Sequence, residues 1–258
     1  MSEWPSGAEA PPPWPRPVAW VLLQSLLLLL GVFSVLWSAL ALLLYPLLPA
    51  ATGRRLGRAV ASRGYAMYWR ITAASGLLQV RAEALDVLRD ERGLVLVANH
   101  PSLLDAMMLV AHLPHGACVM KGSILGNPLL GPGALLARYI NNDSAWDMVQ
   151  SAVAELREGR QLMMFPEGTR TTRPPVNPFH GSFTLIAKRA KAPIQAVFID
   201  TRSPYLGKGW PLWKLPPLPI QFVVRLGRRF EPADDHEALR SEIESYFAAG
   251  VRTGPQPA

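Results

Sequence analysis

The sequence predicts a layered α/β domain, with a mostly parallel central sheet flanked by helices and an N-terminal membrane helix ahead of it. Three observations carry this reading. Downstream of residue 76, short apolar runs with strand character alternate with stretches whose apolar residues recur every three to four positions. Upstream, no charged residue occurs between Pro17 and Gly53. The two segments richest in reactive side chains each follow directly on a strand, where α/β folds display such groups.

The chain has 258 residues, enough for one mid-sized domain with an appendage. Half of the residues are hydrophobic and 17% are charged, more apolar than an ordinary soluble domain, and the excess sits in Val18–Leu44. The formal charge of +7 calls for an anionic partner. With the basic residues clustered near the apolar segment and no aromatic-basic recognition stripe, that partner is a membrane and not a nucleic acid. Cys118 is the single cysteine, which excludes an intrachain disulfide, and its apolar neighbours mark it as a buried small hydrophobe.

Residues 1–17 form a Pro-rich leader expected to be disordered. Residues 18–50 are expected to be a membrane anchor helix: a span needs roughly 20 apolar residues, and Val18–Leu44 exceeds that. Pro46 and Pro49 close it, because proline cannot continue the hydrogen-bond ladder. Glu3, Glu9 and the prolines of the leader do not resemble the basic start of a cleaved signal. Arg54, Arg55, Arg58 and Arg63 follow the anchor, whereas Arg16 alone precedes it, so the body is expected on the cytoplasmic face, with a bacterial inner membrane as the setting. A helix lying in one leaflet would place the body on that same face.

Residues 51–75 mix arginines with Tyr65, Tyr68, Trp69 and Ile71 and read as an interfacial helical linker; an ordinary surface helix fits equally. Residues 76–250 form the catalytic domain, without internal repeats or a second boundary. Its expected strands are Leu77–Arg81, Leu94–Ala98, Ala117–Met120, Arg138–Asn141, Gln161–Phe165, Ile194–Ile199 and Gln221–Leu226. Its expected helices are Leu103–His112, Ala145–Glu158, Ser182–Lys191 and His236–Ala248. The loop Ser203–Pro219 holds Trp210, Trp213, Lys208 and Lys214 among five prolines, and suits either an interfacial anchor or a Pro-stiffened loop.

Asn99-His100-Pro101-Ser102-Leu103-Leu104-Asp105 follows the strand Leu94–Ala98. On a continuous helix His100 and Asp105 would point about 140° apart, but a break at His100-Pro101 lets the imidazole fold back over the helix start, placing Asp105 in its second turn. The result is a His–carboxylate pair in which the imidazole can take a proton from an attacking hydroxyl and the carboxylate orients the ring. No serine or cysteine nucleophile with a convincing elbow accompanies it, which favours direct attack by an acceptor hydroxyl. A second block, Phe165-Pro166-Glu167-Gly168-Thr169-Arg170, also follows a strand. Pro166 and Gly168 make a tight turn, Arg170 offers a planar fork for phosphate or carboxylate, Thr169 adds a hydroxyl, and Glu167 can orient a hydroxyl or hold Arg170. His112 and His115 are separated by Leu113-Pro114 and would not share a helix face, so no metal is expected.

The two blocks, in this order and about 60 residues apart, resemble the glycerolipid acyltransferase family, whose best-known members acylate lysophosphatidic acid. The resemblance covers roughly Leu77 to Ile199 and extends to Lys121, Pro128, Gly131, Gly181 and Ala192-Pro193-Ile194. It implies a membrane-bound enzyme that moves an acyl group from acyl-CoA or acyl carrier protein to a lipid hydroxyl, with no other cofactor. His100 would be the base and Asp105 its orienting partner; Phe165, Pro166, Glu167, Gly168, Thr169 and Arg170, with Lys121 and Arg138, would serve the substrates.

One block departs from the family. Where its strand usually ends Phe-x-Asp-Arg, this chain has Tyr139-Ile140-Asn141-Asn142, which supplies no positive charge. Arg138 is expected on the same side of that strand, but about 13 Å away. Losing one charge-assisted contact to a phosphate costs roughly 1.5–3 kcal/mol. A different lysolipid, or a neutral or amide-bearing acceptor, therefore stays open, as do a phospholipid-dependent transacylase and a catalytically silent scaffold of the same fold.

Overall fold

In the computed structural model, residues 14–252 are described. Most of the expected leader lies outside the described residues, and its last two positions already belong to the first helix. Helix α1 runs Arg16–Leu44, with Pro17 tolerated in the first turn, where no backbone N–H is needed. A turn through Pro46 leads to α2, Ala50–Ala74. The remaining elements are β1 (Leu78–Arg81), a 3-10 turn (Glu83–Leu88), β2 (Val95–Ala98), α3 (Asp105–His112), β3 (Ala117–Met120), α4 (Gly122–Leu125), α5 (Gly131–Leu136) and β4 (Ile140–Asn141). They continue with α6 (Ala145–Arg157), β5 (Leu162–Met164), α7 (Ser182–Ala190), β6 (Ile194–Thr201), β7 (Ile220–Phe230) and α8 (His236–Gly250).

The seven strands form one sheet in the order β1-β7-β6-β2-β5-β3-β4. Only the β6–β7 pairing is antiparallel, as the expected mostly parallel sheet requires. Strand β2 is buried along its whole length, as a central strand covered on both faces must be. One apolar core joins α1, α2, α3 and the 3-10 turn to one face of the sheet, and a second joins α6, α7 and α8 to the other. Because β2, β3, β4, β5 and β6 all run the same way, their C-terminal ends share one edge.

Helix α1 is long and apolar enough to cross a membrane. It does not stand clear of the domain. Ala19, Leu23, Leu26, Ser34, Ser38 and Ala41 form a buried stripe at helical spacing, while Val21, Leu28, Val32, Leu36 and Leu43 face outward. Near the start of α1, the Trp20 indole donates to the carbonyl of Trp213 at 2.7 Å. Near its end, the Ser38 hydroxyl donates to the carbonyl of Leu129 at 2.8 Å. Contacts with the domain thus reach both ends of a helix about 43 Å long.

Helix α2 is no peripheral linker. Gly57 lets its backbone approach α5 so closely that a Cβ there would lie 2.6 Å from Ala137 N. Arg58, one of the basic residues that follow the apolar segment, turns inward and is 3% exposed. It donates to the carbonyls of Ala137 and His115 at 3.0 Å each and to Glu155 at 2.9 Å. Arg54 and Arg160 pair with the same carboxylate, at 3.4 and 2.6 Å. Burial of that charge is offset because Glu155 on α6 and nearby carbonyls answer it. Gly57→Val is therefore expected to pry α2 from α5 and cost about 3 kcal/mol, measured as a lowered thermal midpoint of the purified protein.

Candidate active site

The turn after β2 and the turn after β5 meet at the shared C-terminal edge, since those strands are hydrogen-bonded neighbours. Asn99 extends the sheet by one step: its amide accepts from Ile199 N at 2.8 Å and donates to Ile199 O at 2.9 Å, imitating a backbone rung. The chain then breaks at His100-Pro101. Helix α3 begins only at Asp105, two residues later than the expected Leu103 start, because the Asp105 carboxylate reaches back to accept from Ser102 N at 2.8 Å and holds the turn open.

That geometry brings the imidazole to the carboxylate: His100 Nδ1 lies 2.8 Å from Asp105 Oδ2. Facing a carboxylate, Nδ1 carries the proton, which leaves Nε2 with its lone pair for an incoming hydroxyl. The His100 side chain is 19% exposed and that of Asp105 is fully buried. Phe165 stacks on the His100 ring at 4.3 Å between centroids and fixes its plane. Burial pushes the Asp105 carboxyl above its ordinary value, while the His100 and Ser102 donors and the positive charge of Arg170 work against that rise. Asp105 Oδ1 is buried without a hydrogen-bond partner.

Glu167 joins the two blocks from beneath. Its Oε1 accepts from His100 N at 2.9 Å and from the Thr171 hydroxyl at 2.8 Å, and its Oε2 accepts from Asn177 N at 2.8 Å. Thr171 N in turn donates to His100 O at 2.7 Å. With 3% exposure and both oxygens engaged, Glu167 grips the backbone of His100 and does not project into the cleft. Burial raises its carboxyl too, against the Asn177, His100 and Thr171 donors. Gly168 takes φ +64°, and its missing Cβ leaves room for the His180 ring, only 3.0 Å from where that atom would sit. Pro166 is buried in the turn and Thr169 half-buried.

Arg170 reaches the same edge, but one nitrogen of its fork is committed: Nη1 donates to Leu206 O at 2.9 Å and Gly207 O at 3.0 Å. Lys121 is exposed at the end of β3, two strands along from β2, roughly 10 Å by sheet spacing. Arg138 is not on a strand. The expected strand shrinks to Ile140–Asn141, and Arg138 takes the left-handed φ of 55° before it. Its guanidinium stacks over the Tyr45 ring at 4.6 Å and donates to the Tyr45 hydroxyl at 2.7 Å, so its charge is held at the α1–α2 turn. Next to Asn142, where the family pattern expects a cation, Asp143 accepts from Gly122 N at 3.2 Å and from the Asn141 amide at 3.1 Å.

Asn177 and Thr171 were not among the expected site residues; the only sequence signal for them is the Asn-Pro turn that returns the chain towards Glu167. Cys118 is 4% exposed, and burial pushes its thiol up to about 12, as befits a packing residue. His112 pairs with Asp86 at 3.0 Å, at the opposite end of α3 from Asp105.

The site is thus an imidazole held by a buried carboxylate at the C-terminal edge of the parallel strands of an α/β domain, beside a turn carrying an arginine. A family model described as Acyltransferase matches residues 79–200, from β1 to the end of β6. A lyso-ornithine lipid O-acyltransferase of Pseudomonas aeruginosa is 33% identical over 125 residues, which is 43% of this chain and 47% of that protein. A 1-acyl-sn-glycerol-3-phosphate acyltransferase of Limnanthes douglasii is 30% identical over 133 residues, 49% of this chain and 47% of that one. The crystal structure of the 1-acyl-sn-glycerophosphate acyltransferase PlsC from Thermotoga maritima superposes with a TM-score of 0.62 over 92% of this chain and 96% of that one, at 20% identity, and so shares the fold. Over residues 79–200 the chain is therefore similar to the glycerolipid acyltransferases. It spans about half the length of the curated relatives it matches.

Proposed function

We propose that this protein is a membrane-bound O-acyltransferase that moves a fatty acyl group from an acyl thioester, acyl-CoA or acyl carrier protein, to the hydroxyl of a lysophospholipid-type acceptor. The observation that carries the reading is the 2.8 Å pairing of His100 Nδ1 with the buried Asp105 carboxylate. His100 Nε2 takes the proton of the acceptor hydroxyl as its oxygen bonds to the thioester carbonyl carbon. The tetrahedral intermediate then collapses, the C–S bond breaks, and the imidazolium returns its proton to the leaving thiolate. Asp105 holds the productive tautomer and stabilises the imidazolium. Glu167 acts as a positioning residue, because its contact is with the backbone of His100.

Helix α1, on this reading, lies in one leaflet with its outer face in the acyl chains. A helix that crossed the bilayer would drag the domain segments bonded to both of its ends through the hydrocarbon, with their backbone polar groups. The site then opens beside the lipid it consumes.

A second reading concerns the acceptor. Asn142 stands where the family pattern expects a cation, with the Asp143 carboxylate next in the chain, and a carboxylate there disfavours a phosphate dianion and suits a lysolipid bearing an amine or amide. Purified protein offered labelled acyl thioester with separate lysolipids tests both readings, the product being identified by mass. Acylation of lysophosphatidate alone would sink the second reading, and no acylated lysolipid with any thioester would sink the first. Arg170→Ala is expected to raise the acceptor KM on the order of tenfold with a smaller change in kcat, since a charge-assisted contact is worth roughly 1.5–3 kcal/mol. Unchanged acceptor kinetics would remove Arg170 from the site.

A further inference from the structure

The segment between β6 and β7 forms a strap with one end on the site and the other on α1. At the site end, the Ser102 hydroxyl donates to Tyr205 O at 3.0 Å and Leu103 N donates to Leu206 O at 3.0 Å. Arg170 holds the carbonyls of Leu206 and Gly207. At the other end, Trp20 and Gln24 of α1 donate from their side chains to the carbonyls of Trp213 and Leu212, at 2.7 and 3.1 Å. Those carbonyls are taken up by the anchor helix, and their side chains face outward: Leu212 is 55% exposed and Trp213 72%. Lys214 sits beside them, its ammonium 4.7 Å from the centre of the Trp210 ring.

Two large apolar side chains at the tip of a loop would cost solvation in a protein that met only water. Here they continue the outward apolar face of α1, which includes Trp20, Val21 and Leu28. Tryptophan next to lysine is the pairing that settles at the boundary of acyl chains and headgroups, the ring in the boundary and the ammonium by the phosphates. We propose that the strap 202–219 is a second bilayer-docking element, with Leu212 and Trp213 seated in the leaflet that holds α1, and that it leads the acceptor headgroup from the interface to Arg170. The bilayer is its occupant because the strap's exposed side chains prolong the face of a helix already apolar enough for hydrocarbon. The delivery part of this inference rests on the acyltransferase reading; the docking part does not.

The docking part is tested with the full chain, whose only native thiol is the buried Cys118. Trp213→Cys and, as a control on the opposite face of the sheet, Gln150→Cys are each labelled with an environment-sensitive fluorophore and mixed with vesicles of phosphatidylcholine and phosphatidylglycerol. The label at 213 should shift to the blue and be quenched by brominated acyl chains, and the label at 150 should not respond. No response at 213, or an equal response at both positions, would overturn docking. The delivery part is read from Leu212→Ser/Trp213→Ser. Its acceptor KM should rise on the order of tenfold when the acceptor is presented in vesicles and stay within about twofold for a short-chain acceptor dispersed as monomers, because only the first route uses the apolar contact. Equal changes by both routes, or none by either, would overturn delivery. A wild-type protein with no acyl transfer at all would defeat the acyltransferase reading while leaving the fluorescence result to decide docking.

Discussion

His100→Ala is expected to lower turnover at saturating substrate by about two orders of magnitude or more, the usual contribution of a positioned general base. The fold should survive. What holds this turn is backbone: Glu167 grips His100 N, and Thr171 N grips His100 O. Alanine keeps both bonds and loses only the ring, which is partly exposed and stacked on Phe165. The acceptor KM should move far less than kcat, because the imidazole acts on the reacting proton and not on the lipid headgroup. Initial-rate measurements with acyl thioester and the preferred lysolipid, alongside circular dichroism of the variant, check this. Activity within tenfold of wild type would remove His100 from the mechanism.

Asp105→Asn is expected to separate activity from stability. Turnover should fall by roughly 10²–10⁴-fold, because a neutral amide neither stabilises the imidazolium nor enforces the Nδ1–H tautomer. Stability should move the other way. Burial raises the Asp105 carboxyl above its unfolded value, so its contribution to folding is fully present below the ordinary aspartate range and is lost as pH rises through the raised folded value. At neutral pH the wild type therefore carries a buried charge whose Oδ1 has no donor, and the amide carries none. The thermal midpoint of the variant should equal or exceed that of wild type at pH 7, with the advantage shrinking as pH falls towards about 4. A variant less stable at pH 7 than at pH 4, relative to wild type, would contradict this account of the site.

Local pattern explains why so much of the architecture could be read along the chain. Strands such as Val95–Ala98 and the Ala196–Ile199 part of β6 are continuous apolar runs, and α6 shows its apolar spacing without help from neighbours. The short helices α4 and α5 escaped because the Gly- and Pro-rich stretch 122–136 has little intrinsic helical preference and is held by packing against α1 and α2. Arg138 escaped for a related reason. Its left-handed backbone and its contact with Tyr45, 93 positions earlier, leave no trace in the residues around it.

By itself, then, the sequence determined the long apolar helix, the strand-turn pairs and the His100–Asp105 partnership, because each depends on residues within one turn or one strand of one another. Tertiary structure alone decided which charges face inward. Arg58 counted only as one of the basic residues following the apolar segment and is a buried strut; Glu167 looked like a substrate contact and holds the backbone of His100. The loop Ser203–Pro219 reads in the sequence equally as a stiff loop or an anchor, and the structure ties one of its ends to Trp20 and the other to Arg170. Burying a charge or an amide is costly unless a partner answers it, and these partners lie 30 to 200 residues away, where no local pattern can announce them.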